Sequence, residues 1–243
     1  MVADALAYHP SVAHYLRFVA TTVGRDKVLR TLQYFSRFLA WYLFRTNYSQ
    51  ASIAPFEAIK KQFGLTRKLL RVGKNVEHFK AAAVALDSKP TVAGASTTAA
   101  DPVLKYLAVG RQLGYGVYLS LDTFTYLHAS GIRKFDSIKR LQSQAYKAWF
   151  AGLMCSAIAS LYSLWKLKEM ERNVNKKDGE GALESKKITR ERAAITTQLV
   201  SDICDLTIPS SALGYVNFDD GIVGIAGTMS SLLGIWSVWK KTT

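Results

Sequence analysis

The sequence predicts an all-α, membrane-associated protein built of amphipathic helices with one or two transmembrane helices. Three stretches carry that expectation. Leu65 to Leu86 holds a helical apolar stripe edged with bases, Gly221 to Trp239 is 19 residues without a charge, and Ala148 to Trp165 is another 18. The 243 residues carry 32 Lys and Arg against 18 Asp and Glu, a formal net charge of +14. An excess of that size implies a negative partner surface, either nucleic acid or anionic lipid. It is concentrated early, with 14 bases against 5 acids in residues 1–100 and 18 against 13 in residues 101–243.

Taken in order, Pro10 and Ser11 start a helix with Val12, Tyr15, Leu16 and Val19 on one face. A second helix carries the stripe Val28, Leu32, Phe35, Leu39, Tyr42 and Leu43, widened by Tyr34, Phe38, Trp41 and Phe44. A helix apolar this far round must be covered on several sides, by protein or by lipid. Asn47 to Pro55 reads as a loop, and a helix from Phe56, with Gly64 as the place for a bend, leads into Leu65 to Leu86.

In that stretch Leu65, Leu69, Val72, Val76, Phe79, Ala83 and Leu86 are spaced alternately 4 and 3 apart, which gathers them on one face of a helix. Arg67, Arg71, Lys74 and His78 fall opposite, and Lys68 and Lys80 lie at the borders, where their stems can follow apolar surface. Five bases against Glu77 leave +4. The pattern suits a helix lying in a membrane interface, with the seven apolar residues inserted and Arg67, Lys68, Arg71, Lys74 and Lys80 facing anionic lipid. It also suits a helix packed on a protein core. Leu70 on the polar side and Gly73 in mid-helix fit neither reading.

Residues 87–102, small, polar and bounded by prolines, are predicted as a flexible linker. They divide an N-terminal helical region (1–86) from a C-terminal helical membrane region (103–243). Val103 to Ser130 follows as a helical stretch in which Gly110, Gly114 and Gly116 serve either close helix approach or a helix break. Ile132 to Tyr146 is basic and polar. The run 148–165, with Lys147, Lys166 and Lys168 outside it and Trp149, Tyr162 and Trp165 as interfacial anchors, is a possible span, and a buried core helix explains it as well. Residues 168–192 carry 14 charges of mixed sign, and their centre is expected to be solvated loop. Ala193 to Leu206 reads as a helix ended by Pro209. The run 221–239, stopped by Lys240 and Lys241, is just long enough to cross a hydrocarbon core of about 30 Å at about 1.5 Å per residue. Its pairs Gly227 with Ser231 and Ser230 with Gly234 allow close helix packing in lipid.

No catalytic motif is present: GxxxxGK[ST], HExxH, GxSxG and paired CxxC are all missing. His9, His14, His78 and His128 are scattered, and Asp219 and Asp220 read as a helix cap or solvated border. Cys155 and Cys204 read as buried thiols in a reducing compartment. The sequence therefore points to a protein that is not an enzyme and needs no cofactor or metal. No zinc finger, RNP-like strand or basic zipper supports nucleic-acid binding, and the long uncharged runs argue against it.

Residues 21–43, TTVGRDKVLRTLQYFSRFLAWYL, resemble the N-terminal signature of the peroxisomal biogenesis factor 11 family in its fungal form, at Gly24, Arg25, Asp26, Lys27, Arg30, Gln33, Tyr34 and Arg37. The run 221–239 resembles the family's final apolar segment. The resemblance implies an integral peroxisomal membrane protein that elongates the organelle before division. It maps the family's lipid-binding, membrane-bending amphipathic helix onto residues 65–86. It further implies self-association, recruitment of a fission factor and a dynamin-like GTPase, and both termini in the cytosol. Some members are proposed to act as pores for small metabolites. The closing Lys240-Lys241-Thr242-Thr243 has the form of a dilysine coat-binding signal, but two lysines ending a span are the ordinary reading of it.

Overall fold

A computed structural model describes residues 8–87, 101–173 and 179–242, and these residues form eight α-helices. They are α1 (Pro10–Ala20), α2 (Thr22–Arg45), α3 (Gln50–Leu70), α4 (Asn75–Asp87), α5 (Pro102–Ala129), α6 (Ile138–Asn173), α7 (Gly179–Ala212) and α8 (Asp220–Lys241). The local chemistry of their starts is ordinary. Thr21 caps α2 through Gly24 N–H, Asp101 caps α5 through Val103 N–H with Pro102 in the first turn, and Asp219 caps α8 through Ile222 N–H.

Several boundaries differ from the sequence expectation. The segment 47–55 is not a loop: α3 begins at Gln50 and carries Pro55 inside it, while Ile53 is buried, so tertiary packing outweighs the missing proline N–H. The uncharged run 148–165 is the middle of a 36-residue helix, and α7 runs from Gly179 through a buried Pro209 to Ala212. The predicted linker lies outside the described residues from 88 to 100, as does the centre of the charged segment from 174 to 178. Both flanks of that charged segment are helical, and Arg192 pairs with Glu171 across them. Cys155 and Cys204 are half-buried rather than buried.

α2 packs on α3, α3 on α5, α5 on α6, α6 on α7 and α7 on α8, which returns to α2, so these helices close a ring with α4 laid on α5. The register of α8 on α2 is antiparallel and set by glycine. Gly221 lies on Trp41, Gly224 on Phe38, Gly227 on Tyr34 and Gly234 on Lys27, and a Cβ at Gly227 would stand 2.3 Å from Tyr34 Cδ1. The small-residue face of α8, including the buried Ser230 and Ser231, is thus occupied within the chain. At the end of this ladder His14 Nε2 donates to the Trp239 carbonyl (3.0 Å) and Arg17 Nε to that of Thr242 (3.0 Å). Gly110 and Gly114 serve close approach, not a break: they face Cys155 and Gly152 of α6 inside an unbroken α5.

Two helices, Ile138–Arg172 and Asp220–Lys241, are long and apolar enough to cross a membrane, with only 39% and 33% of their apolar windows buried. What is left outward is patterned. Met154, Ile158, Leu161 and Trp165 make one exposed stripe on α6, and Ile222, Ile225, Met229, Leu232 and Trp236 make another on α8. Exposed apolar faces of that extent suit contact with lipid.

Candidate functional site: a charged junction beneath an apolar ridge

The stretch 65–86 is two helices, not one. Gly73 takes φ +81°, the left-handed conformation that closes a helix, and Arg71 to Lys74 form a turn between α3 and α4. Most of the seven apolar residues still face away from the protein. Leu69 is 52% exposed and Val76 64%, Val72, Phe79, Ala83 and Leu86 are also exposed, and Leu65 is half-buried. Phe79 additionally leaves room for itself over Gly116 of α5.

The opposite face departs from the sequence expectation. Arg67, Lys68 and Arg71 do not point into solvent; they point into the ring. Arg67 is 7% exposed, donating from Nε to Asp26 (3.0 Å) and from Nη1 to Gln33 (2.7 Å). Asp122 accepts from Lys68 (2.9 Å) and from Arg71 Nη2 (2.8 Å), and Thr125 accepts from Lys68 at 2.6 Å. Lys74 and His78 also face inward, with His78 Nδ1 2.7 Å from Gln112 Oε1. Of the five predicted lipid-facing bases only Lys80 is on an exposed surface. Periodicity states which residues share a face; it does not state which face meets protein. The side chains of the acids that draw the bases inward, Asp26 and Asp122, are themselves largely buried, and an acid so placed requires a buried base.

These pairs border a cavity of about 350 Å³ within the ring, walled by α2, α3, α4, α5, α6 and α7. On its far side Arg30, 6% exposed, makes a bidentate pair with Asp205 of α7 and lies 5.4 Å over the Tyr34 ring. Tyr118 and Trp149 stack at 5.0 Å to form an aromatic wall, and the Tyr118 hydroxyl accepts from Arg71 (3.3 Å). The bases of the cavity outnumber its carboxylates, so the arrangement can hold negative charge. No group of three His, Cys, Asp or Glu suited to a metal ion occurs among the described residues.

The family model described as peroxisomal biogenesis factor 11 matches residues 12–239. The chain belongs to the peroxisomal biogenesis factor 11 family. It is 29% identical to peroxisomal membrane protein PMP27 of Saccharomyces cerevisiae over the full length of both chains. It is 28% identical to peroxisomal membrane protein PMP30B of Candida boidinii, covering 100% of this chain and 99% of that one. Peroxisomal biogenesis factor 11 of Schizosaccharomyces pombe is 22% identical over 95% of this chain and 96% of its own. No solved structure matches.

The peroxisomal biogenesis factor 11 signature thereby gains a structural account in this chain. Its polar residues hold α2 to the rest of the ring: Asp26 and Gln33 to α3 through Arg67, Arg30 to α7 through Asp205, and Arg37 to Asp220 of α8 at 2.6 Å. Tyr34 fills the notch over Gly227, and Lys27 lies along Gly234. Gly24 is needed where α1 meets α2, since a Cβ there would be 2.3 Å from the Phe18 carbonyl oxygen. Arg25 is exposed and reaches the Ala20 carbonyl at 3.4 Å. Sequence reasoning missed the partners Asp122, Asp205 and Asp220, and a signal was available for Asp122 alone, the single acid of a mostly apolar helix.

Proposed function

We propose that this peroxisomal biogenesis factor 11 protein sits in the peroxisomal membrane and elongates it, using the outward ridge of α3 and α4 as a wedge. The observation that carries this is that Leu69, Val72, Val76, Phe79 and Leu86 stay exposed although Arg71 and Lys74 between them fold inward. Each half-exposed side chain gains roughly 1 kcal/mol on entering hydrocarbon. The inward pairs make the wedge stiff: Arg67 and Arg71 fasten it to α2 and α5, so that insertion strains the leaflet, not the helix. Attraction to anionic lipid falls to exposed bases such as Lys80 and to the overall charge of +14. Self-association would concentrate many wedges into a tubule, and the fission factor and dynamin-like GTPase of the family resemblance would then act on it, with both termini on the cytosolic side.

The deciding experiment expresses full-length Leu69→Glu/Val76→Glu in cells lacking the native protein. The expected result is normal targeting to peroxisomes that remain short and round. Normal elongation by that variant would sink the wedge.

A second reading, a pore for small metabolites, is favoured by one observation, the charged cavity bordered by the helices of the ring. It predicts single-channel conductance from purified protein in planar bilayers, with ion selectivity changed by Arg111→Gln or Asp122→Asn, both at the cavity wall.

A further inference from the structure

We propose that the central cavity is a binding site for a phosphate-class polyanion, either a soluble phosphorylated molecule or a phosphorylated lipid headgroup, held by Lys27, Lys74 and Arg111. Seven bases line the cavity against three carboxylates. Asp26, Asp122 and Asp205 are fully engaged by Arg67, Lys68, Arg71 and Arg30. Among the described residues no carboxylate lies within 4.0 Å of Lys27, Lys74 or Arg111. An uncompensated charge inside a protein is costly unless something of opposite sign shares the space.

The second observation is an orphan. Arg111 Nε is buried with no hydrogen-bond partner among the described residues, although its guanidinium is held 5.5 Å over the Tyr115 ring. Buried polar atoms are nearly always satisfied, so an unmet donor on a fixed guanidinium marks the place of an absent acceptor. The third is chemistry and size. A guanidinium with two ammonium groups matches phosphate oxygens, the arginine by its planar fork and the lysines as point charges. An excess of four positive charges in about 350 Å³ is met by one polyanion more economically than by several monovalent ions. The site faces the centre of the ring, so it does not depend on how the outer ridge meets the bilayer.

The test uses full-length protein in a neutral maltoside detergent. Trp149, on the cavity wall, supplies the fluorescence signal, and thermal unfolding supplies a second one. One arm titrates inorganic pyrophosphate and the other a short-chain phosphatidylinositol phosphate, both at ionic strength matched with chloride. Saturable binding is expected, weakened about tenfold by Arg111→Gln and about tenfold by Lys74→Gln, and unchanged by Lys139→Gln on the exposed start of α6. Lys74 lies in a turn with no ion pair among the described residues, so its variant remains informative if loss of Arg111 disturbs folding. Binding of pyrophosphate alone supports a soluble ligand, and binding of the lipid alone supports a headgroup. A response to neither probe, or one equal in all variants, overturns the site.

Discussion

Arg30 and Asp205 stand 175 positions apart in sequence, yet both are buried and bonded to each other. Removing one partner leaves a charge with nothing to meet it, which costs about 3–5 kcal/mol, whereas replacing both by apolar residues of similar volume is close to neutral. Arg30→Ala is therefore expected to lower stability in detergent by about 3 kcal/mol or more. Arg30→Met with Asp205→Leu should recover most of that, as read by denaturant midpoint. Asp101 offers a milder test. Its carboxylate accepts from Lys166, from Val103 N–H (2.8 Å) and from the Tyr162 hydroxyl (3.0 Å). The Lys166 bond foremost holds its pKa down to about 2, below the ordinary 3.8. A lowered carboxylate pKa means stability that is present above pH 3.8 and lost as pH falls toward 2. Asp101→Asn should lower the midpoint at neutral pH, leave it nearly unchanged near pH 2, and so flatten its pH dependence between the two.

Helices and their glycines set the next level. At Gly73 nothing lies within 4 Å of a would-be Cβ, so Ala there meets only the penalty of its left-handed backbone. Gly73→Ala is expected to cost about 1 kcal/mol in unfolding free energy. Gly227→Val forces atoms into the Tyr34 ring, and should cost about 3 kcal/mol while leaving helix content by circular dichroism nearly intact. These two sites mark what the sequence makes legible. The helical stretches and the two uncharged runs follow from period and composition, and the small-residue spacing marks Gly110 and Gly114 as places of either close approach or a break. The extension of α3 past Pro55 and of α7 past Pro209 does not, because burial of Ile53 and Ile208 decides it. Nor does the break at Gly73, since the 4-and-3 spacing continues in phase across the turn. The inward face of Arg67, Lys68 and Arg71 was hidden for another reason: its cause is Asp26 and Asp122, one of them 55 positions downstream of Arg67.

At the scale of the molecule, the ring joins helices from both sides of residues 88–100, with Asn75 donating to Ser120 (2.9 Å) and α8 resting on α2. A ring of antiparallel hairpins around a charged centre explains how so basic a chain can carry outward apolar stripes on α4, α6 and α8: part of its charge is spent inside. Whether these stripes meet lipid is read directly by spin labels at Val76, Leu161 and Leu232, which are expected to become accessible to oxygen and protected from a polar nickel reagent in reconstituted vesicles. The bonds from His14 and Arg17 to Trp239 and Thr242 carry one more consequence, concerning parity. Two residues that touch at one end of α8 lie on one side of the membrane, so the chain between them crosses it an even number of times, however many that is. In a cysteine-free background on intact organelles, Ser11→Cys and Thr242→Cys should therefore share one fate, both reacting with an impermeant maleimide or both protected, and a split result would mean that the α2–α8 ladder is open in the membrane.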